Sequence, residues 1–351
     1  MFHTPLIGLK RSWVNLFYAG GPPMRVKRMK STLLLPAAAV ALFAQSPAEE
    51  LIEAGHWKRA RTLVEARMRE APDDPLAIYL TSQIRFAFGD ANAPLKLAEK
   101  ALALDASAAK YHRQVAEATG VMAQNANLFQ QLFLARRFKK EIGSAIALDP
   151  RDVQSLRDLM EFYLLAPGIA GGNKEEALAV AERIGRIDRA QGFTAEARLA
   201  EVDKDIGKAE ALLRKAVEAA PAKYKARIEL AQFELAQEHR NPEAAEAAAR
   251  EALQVDATRV DAYSILADVY ASRGQWAELD GLLAEADAAV PDDWTPHYRA
   301  AEAMLRTGRN LAAAQRNLRK YLAQEPEGNQ PTAAQAREKL DLARAESTRP
   351  Q

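Results

Sequence analysis

Five histidines, abundant carboxylates and no cysteine are the groups with which this 351-residue chain could do chemistry. Without cysteine there are no disulfides, no thiolate metal sites and no cysteine nucleophile. His3, His56, His112, His239 and His297 are scattered, and none forms a His-Glu-x-x-His pair or another spacing that would set two imidazoles around a metal. No Gly-x-Ser-x-Gly elbow is present. The run Pro167-Gly168-Ile169-Ala170-Gly171-Gly172-Asn173-Lys174 invites comparison with a phosphate-binding loop, which needs Gly, four residues, then Gly-Lys-Ser/Thr after a strand. Here the second Gly is misplaced, Glu175 stands where a hydroxyl is needed, and a helical pattern precedes. Asp73-Asp74 and Asp292-Asp293 read as polar turns. The expectation is a non-enzymatic chain with no cofactor and no metal.

The informative spacing is structural. From Val260 the chain runs Asp261-Ala262-Tyr263, Leu266-Ala267, Tyr270, Gly274-Gln275-Trp276, Leu279, Leu283, Ala286 and Pro291. Leu266, Tyr270, Leu279 and Leu283 recur at helical spacing and form a buried stripe. Gly274 falls where the chain leaves the first helix, in a backbone conformation that suits glycine, and Pro291 cannot continue the second. Ala267 and Ala286 mark close helix crossings, and Trp276 is expected wedged between its own pair and the next. These residues resemble the tetratricopeptide (TPR) repeat of about 34 residues, with Leu279 replacing the usual small residue at position 20. The resemblance implies an all-α, right-handed superhelical TPR solenoid of antiparallel helix pairs. In such a linear array, damage to the Val260–Pro291 repeat should leave repeats before Pro150 nearly unchanged.

The pattern extends over about eight pairs. Gly55, Trp57, Ala60, Val64 and Pro72 keep the register of a truncated first repeat, and Pro75 to Ala108 makes the second. The third, Ala109 to Pro150, absorbs roughly ten extra residues and predicts a long helix from about Leu128 to Leu148. Arg136, Arg137, Lys139 and Lys140 on that helix read as a solvated face, with an anionic partner surface as the alternative. The fourth has a turn about five residues longer than usual, where Pro167, Gly168, Gly171 and Gly172 fit a shaped loop on one rim. The fifth, starting at Ala190, keeps its register, the sixth carries two extra residues near Asn241-Pro242, and the eighth runs from Trp294 to Pro326. Thr332 to about Ala345 predicts a closing helix capped by Thr332. Ile146-Ala147-Leu148-Asp149-Pro150 and the glycine-rich stretch resemble a recurring group of exported bacterial TPR proteins, which implies architecture and export and brings no known activity.

The amino terminus differs in kind. Arg25, Lys27, Arg28 and Lys30 precede an apolar run from Leu33 to Phe43 that ends at Ala44. This is the plan of a cleavable secretory signal, too short for a membrane span. The expected division is residues 1–23 as a non-native or disordered extension, 24–44 as the signal peptide, 45–346 as the repeat array with its closing helix, and 347–351 as a tail. The chain totals +1 but has no acid in residues 1–44, leaving −5 for the rest. A mildly acidic scaffold has no electrostatic footprint for nucleic acid. The expected location is periplasmic or secreted.

First-helix positions 2, 5, 9 and 12 line the concave face of a TPR array. Here they supply Tyr79, Gln83, Arg113, Glu117, Arg157, Glu161, Arg198, Asp268, Tyr298 and Glu302. Co-chaperone TPR domains that grip a terminal carboxylate use Asn at position 9, and no full repeat has it. The mixture of both charges and tyrosine suits a protein or peptide partner. The functional expectation is a protein-interaction scaffold of the cell envelope that binds on this face. A structural part held by its ends, and a substrate-binding or enzymatic module, are the alternatives.

Overall fold

The computed structural model describes residues 46–90, 93–124, 126–236, 240–328 and 331–347. The expected extension, signal peptide and cleavage after Ala44 lie outside the described residues, as do residues 348–351 of the tail. The described chain is helical throughout, as eight antiparallel pairs and one closing helix. The pairs are α1 (Pro47–Glu53) with α2 (Trp57–Glu70), α3 (Pro75–Ala87) with α4 (Ala93–Leu104), α5 (Ala109–Gln124) with α6 (Leu128–Leu148), and α7 (Val153–Leu165) with α8 (Lys174–Ile187). They continue as α9 (Arg189–Val202) with α10 (Ile206–Ala219), α11 (Tyr224–Glu234) with α12 (Pro242–Val255), α13 (Val260–Arg273) with α14 (Trp276–Ala289), and α15 (Thr295–Thr307) with α16 (Leu311–Tyr321). α17 (Ala333–Ser347) closes the stack.

Local chemistry sets the ends of these helices. The Ser46 and Asn127 side chains accept from the backbone N–H groups of Glu49 and Gln130, whose own side chains accept from the cap residues in return. Thr332 and Gln335 do the same ahead of α17, both bonds being 2.9 Å. Asp152, Asn173 and Asp188 cap α7, α8 and α9. Gly274 and Gly308 end α13 and α15 in the left-handed region, at φ 75° and 66°.

Alanine builds the core as much as large side chains do. Ala262, Ala267 and Ala271 on α13 and Ala300, Ala301 and Ala303 on α15 are all fully buried, and α13 packs more extensively on α15 than on its own partner α14. Small side chains let the two axes approach. At the α8–α9 crossing, a Cβ on Gly192 would stand 2.3 Å from the Gly185 Cα. In the loop after α7, Gly171 adopts φ 104° and a Cβ on Gly172 would stand 1.8 Å from the Ala166 carbonyl oxygen. That loop is a folded connector: Asn173 N–H reaches back to the Tyr163 carbonyl at 2.9 Å.

Trp276 departs from expectation. It is only partly buried, packing on the core edge beside Gly274 and Arg309. Tyr263 and Tyr270 fill the interior of this pair instead, at 0% and 2% exposure. Leu279 is buried at the position that usually holds a small residue.

The stack also returns upon itself, which a strictly linear array would not do. Arg59 pairs with Asp292 at 2.6 Å and Arg61 with Glu325 at 2.5 Å, each through two guanidinium nitrogens. The Lys58 backbone N–H donates to Glu327 Oε1 at 2.7 Å, and its ammonium donates to the carbonyls of Asp292 and Glu325. Arg259, the residue before α13, donates to the Glu53 carbonyl at 3.1 Å. Gly328 fits against the Ala87 carbonyl and the Trp57 ring. This clasp holds the first pair against the turns that flank the eighth.

Candidate functional site

The inner residues named from the sequence lie on first helices, and most are buried and paired with one another. On α5, Arg113 donates to Glu117 at 2.7 Å and lies 3.7 Å from Asp158 of α7. On α7, Glu161 receives the Arg198 guanidinium of α9 in a two-pronged pair at 2.9 and 3.4 Å, a geometry among the stronger charge-assisted bonds. Arg157 reaches two pairs onward to Glu229 of α11 at 3.0 Å, and the other oxygen of Glu229 accepts from the Thr194 hydroxyl of α9. The inner face is therefore curved tightly enough for helices of pairs four and six to share an ion pair.

A second cluster lies further along. Asp268 of α13 accepts from Arg240, from Arg306 of α15 at 2.9 and 3.0 Å, and from the Ser272 hydroxyl. Glu302 of α15 pairs with Arg299 at 2.9 Å and with Lys339 of α17 at 3.1 Å. Tyr298 stacks obliquely on Tyr321 with centroids 5.3 Å apart. At the amino-terminal side, the Tyr79 hydroxyl accepts from Gln83 at 3.0 Å and its ring meets Tyr111 at 5.3 Å. Burial raises the Tyr79 phenol above its ordinary range, and its contacts are those of a core residue.

Burial shapes the charge on this face. It pushes Asp158 up to about 8, with the neighbouring Glu117 adding to the rise against Arg113. Burial, reinforced by Arg157, brings Lys225 down to about 7. Burial alone would raise Glu229, but Arg157 and Lys225 outweigh it and hold it below the carboxylate range. Glu302 is likewise held low by Arg299 and Lys339 in spite of its burial. The network leaves two buried atoms of adjacent residues, Arg157 Nη1 and Asp158 Oδ2, without a hydrogen-bond partner among the described residues.

Several members were missed from the sequence. Lys225 occupies the second place of its helix and the same register that found Arg113 contains it. Asp158 and Glu229 hold sixth places, which turn inward only because neighbouring first helices approach so closely. Arg240 lies in a connection and carries no periodic signal. Among the described residues no group of three or more His, Asp or Glu is placed to hold a metal, and no helix is long and apolar enough to cross a membrane.

Helix pairs stacked with inward first helices define an all-α TPR superhelix. Among solved structures, the fold is similar to yeast Tom70, which is 14% identical, with a TM-score of 0.57 over 96% of this chain and 69% of that one. A thermophilic TPR protein of Thermus thermophilus is similar at 21% identity over 54% of this chain and 96% of its own, with a TM-score of 0.47. No family model and no curated protein matches the chain.

Proposed function

We propose that the protein is a non-enzymatic interaction scaffold that takes a peptide or protein segment on its inner face. The observation that carries this is the incomplete pairing at α7. Arg157 Nη1 and Asp158 Oδ2 are unsatisfied polar atoms on adjacent buried residues. Buried polar groups are costly when unmade, and each peptide unit of an extended chain presents one acceptor and one donor. Arg113, Arg198, Asp268, Glu302 and the tyrosines would frame such a segment, with no role for nucleic acid or a cofactor.

The envelope setting belongs to the same proposal. It rests on the basic cluster Arg25–Lys30 and the apolar run Leu33–Phe43. Fractionation should find the chain outside the cytoplasm, and mass spectrometry a new amino terminus near Gln45. An uncut cytoplasmic chain overturns the export reading. For a component held by its ends, α2 is engaged in the clasp, and α17 is the end left to bind.

Charge reversal of Arg157 or Arg198 would confuse folding with binding, because both lie in buried ion pairs. A photo-crosslinking residue is the better probe, placed at Glu302 on the inner face and at Leu178, exposed on α8. The proposal expects protein adducts from position 302 in the source cell and none from 178. Adducts from 178 alone contradict it.

A further inference from the structure

The third pair carries a surface that the stacking does not use. α6 has 21 residues where α8, α10 and α12 have 14. Its buried residues, Ala135, Phe138, Glu141, Ile142 and Ala145, all fall in the second two-thirds. The first two turns, roughly 10 Å of helix, overhang the stack. They carry Leu128, Phe129 and Phe133, exposed by 56%, 85% and 67%, and Met122 at the end of α5 adds a fourth exposed apolar side chain. Phe129 and Phe133 stand one turn apart on one side of the helix.

Beneath them is a groove of about 650 Å³ between this overhang and the preceding pair. Buried Pro94 and Ala118 form its floor, and Phe86, Leu95 and Val121 line its walls. Asp90, in the groove lining, lies 3.9 Å from Arg85. One turn beyond Phe133 the same helix becomes basic. Arg137 is tied to Glu99, whereas Arg136 has no ion-pair partner among the described residues and Lys139 lies over the Tyr163 ring. Lys140, 77% exposed, has Glu141 as its one ion-pair partner among the described residues, and His112 already engages that carboxylate. This basic face stands on a chain whose residues beyond 44 total −5, so its sign is local.

We propose that this groove is a second docking site, for a protein segment with aromatic or aliphatic anchors followed by acidic residues. The concave apolar recess receives the anchors between Phe129, Phe133 and Leu95, and the acidic stretch continues along Arg136, Lys139 and Lys140. This is the helix-in-groove mode, in which spaced apolar side chains give affinity and charge sets orientation. A lipid surface fits less well, because the apolar residues surround a recess instead of forming one convex face. The site is independent of the inner face, so either can fail without the other.

The test presents phage-displayed random peptides of about sixteen residues to the full chain. The expected enriched sequences combine spaced aromatic or aliphatic residues with acids. Their affinity should fall at least about tenfold in a Phe129→Ser/Phe133→Ser variant, whose changes are on exposed side chains, and severalfold in Arg136→Glu/Lys140→Glu, with added salt weakening only the parent. Circular dichroism of both variants should match the parent. Enriched peptides without acids, or equal binding to the Phe129→Ser/Phe133→Ser variant, overturn the proposal. So does capture of anionic phosphatidylglycerol vesicles with no peptide selected. Sedimentation showing that the parent self-associates through Phe129 and Phe133 overturns it as well, in favour of a second copy.

Discussion

The carboxy-terminal half and the amino-terminal half are built from the same kind of helix pair but assemble differently. From Ala197 to Leu340 the buried side chains form one continuous core. Between Ala48 and Leu199 they divide into three clusters, one around Ile78 and Tyr111, one around Phe138 and Phe162, and one around Leu156 and Ile184. The boundaries within the amino-terminal half lie beside departures from the repeat length. The third pair carries the long α6, and the fourth carries the Pro167–Asn173 connector. In the second half the departure is smaller, a short extension before Pro242. Even spacing lets each pair present its stripe to the next, whereas a longer helix or loop turns the stripe away. Apolar residues then remain outside, as Phe129 and Phe133 do.

The largest expected effect sets the two halves directly against each other. Tyr263→Ala removes a fully buried ring whose hydroxyl also bonds the Ala257 carbonyl at 3.2 Å, and should destabilise by about 3–5 kcal/mol. Phe129→Ala, in the overhang, should change stability by less than about 0.5 kcal/mol. Urea denaturation of both would break the comparison if the two costs were alike.

Gly192→Ala probes the α8–α9 crossing near the boundary between the halves. The added methyl meets backbone at 2.3 Å and not a flexible side-chain tip, so the helices must separate, at about 1–3 kcal/mol. A neutral result by denaturant titration would mean that the boundary yields easily. Trp276→Ala should cost less than a fully buried aromatic, about 1–2 kcal/mol, because the ring is only partly covered. A cost as large as that of Tyr263→Ala would restore the wedged position expected from the repeat motif.

A further effect concerns the clasp. Burial pushes Glu327 up to about 7, with Asp293 and Asp292 nearby adding to the rise and the Lys58 N–H and ammonium opposing it. Asp293 itself is pushed up to about 6 by burial. A carboxyl raised in the folded state binds more protons there than in the unfolded chain, so stability falls as pH rises between the ordinary value, 4.5, and about 7. Glu327→Gln should flatten that slope, shifting the melting temperature by a few degrees at most, about 2–4 °C. An unchanged slope in a pH series would remove Glu327 from the account.

Much of the helix architecture was legible because its signals are local and periodic. The span Leu128–Leu148, the Thr332 cap and the Gly274 turn follow from 3.6-residue spacing and end chemistry within a few residues. The inner face was legible by register, which found Arg113 and Arg198 but not their state: Arg198 is engaged by Glu161, 37 residues away. Pairing of that kind depends on superhelical curvature, which no short window contains. The clasp is further out of reach, since Lys58 and Glu327 are separated by 269 residues. The exposed overhang was hidden for the opposite reason, because a helical stripe of Leu128, Phe129 and Phe133 reads as core wherever it occurs.

The continuous core from α9 onward and the clasp on the first pair predict that these two regions loosen together. Native-state hydrogen exchange on Tyr263→Ala tests this most directly. Exchange should accelerate across about 197–340 and also across α1 and α2, whose outer contacts are to the turns at Asp292 and Glu325, while α5 to α8 remain close to the parent. Acceleration that stops short of α1 and α2, or that spreads evenly over every helix, would contradict it.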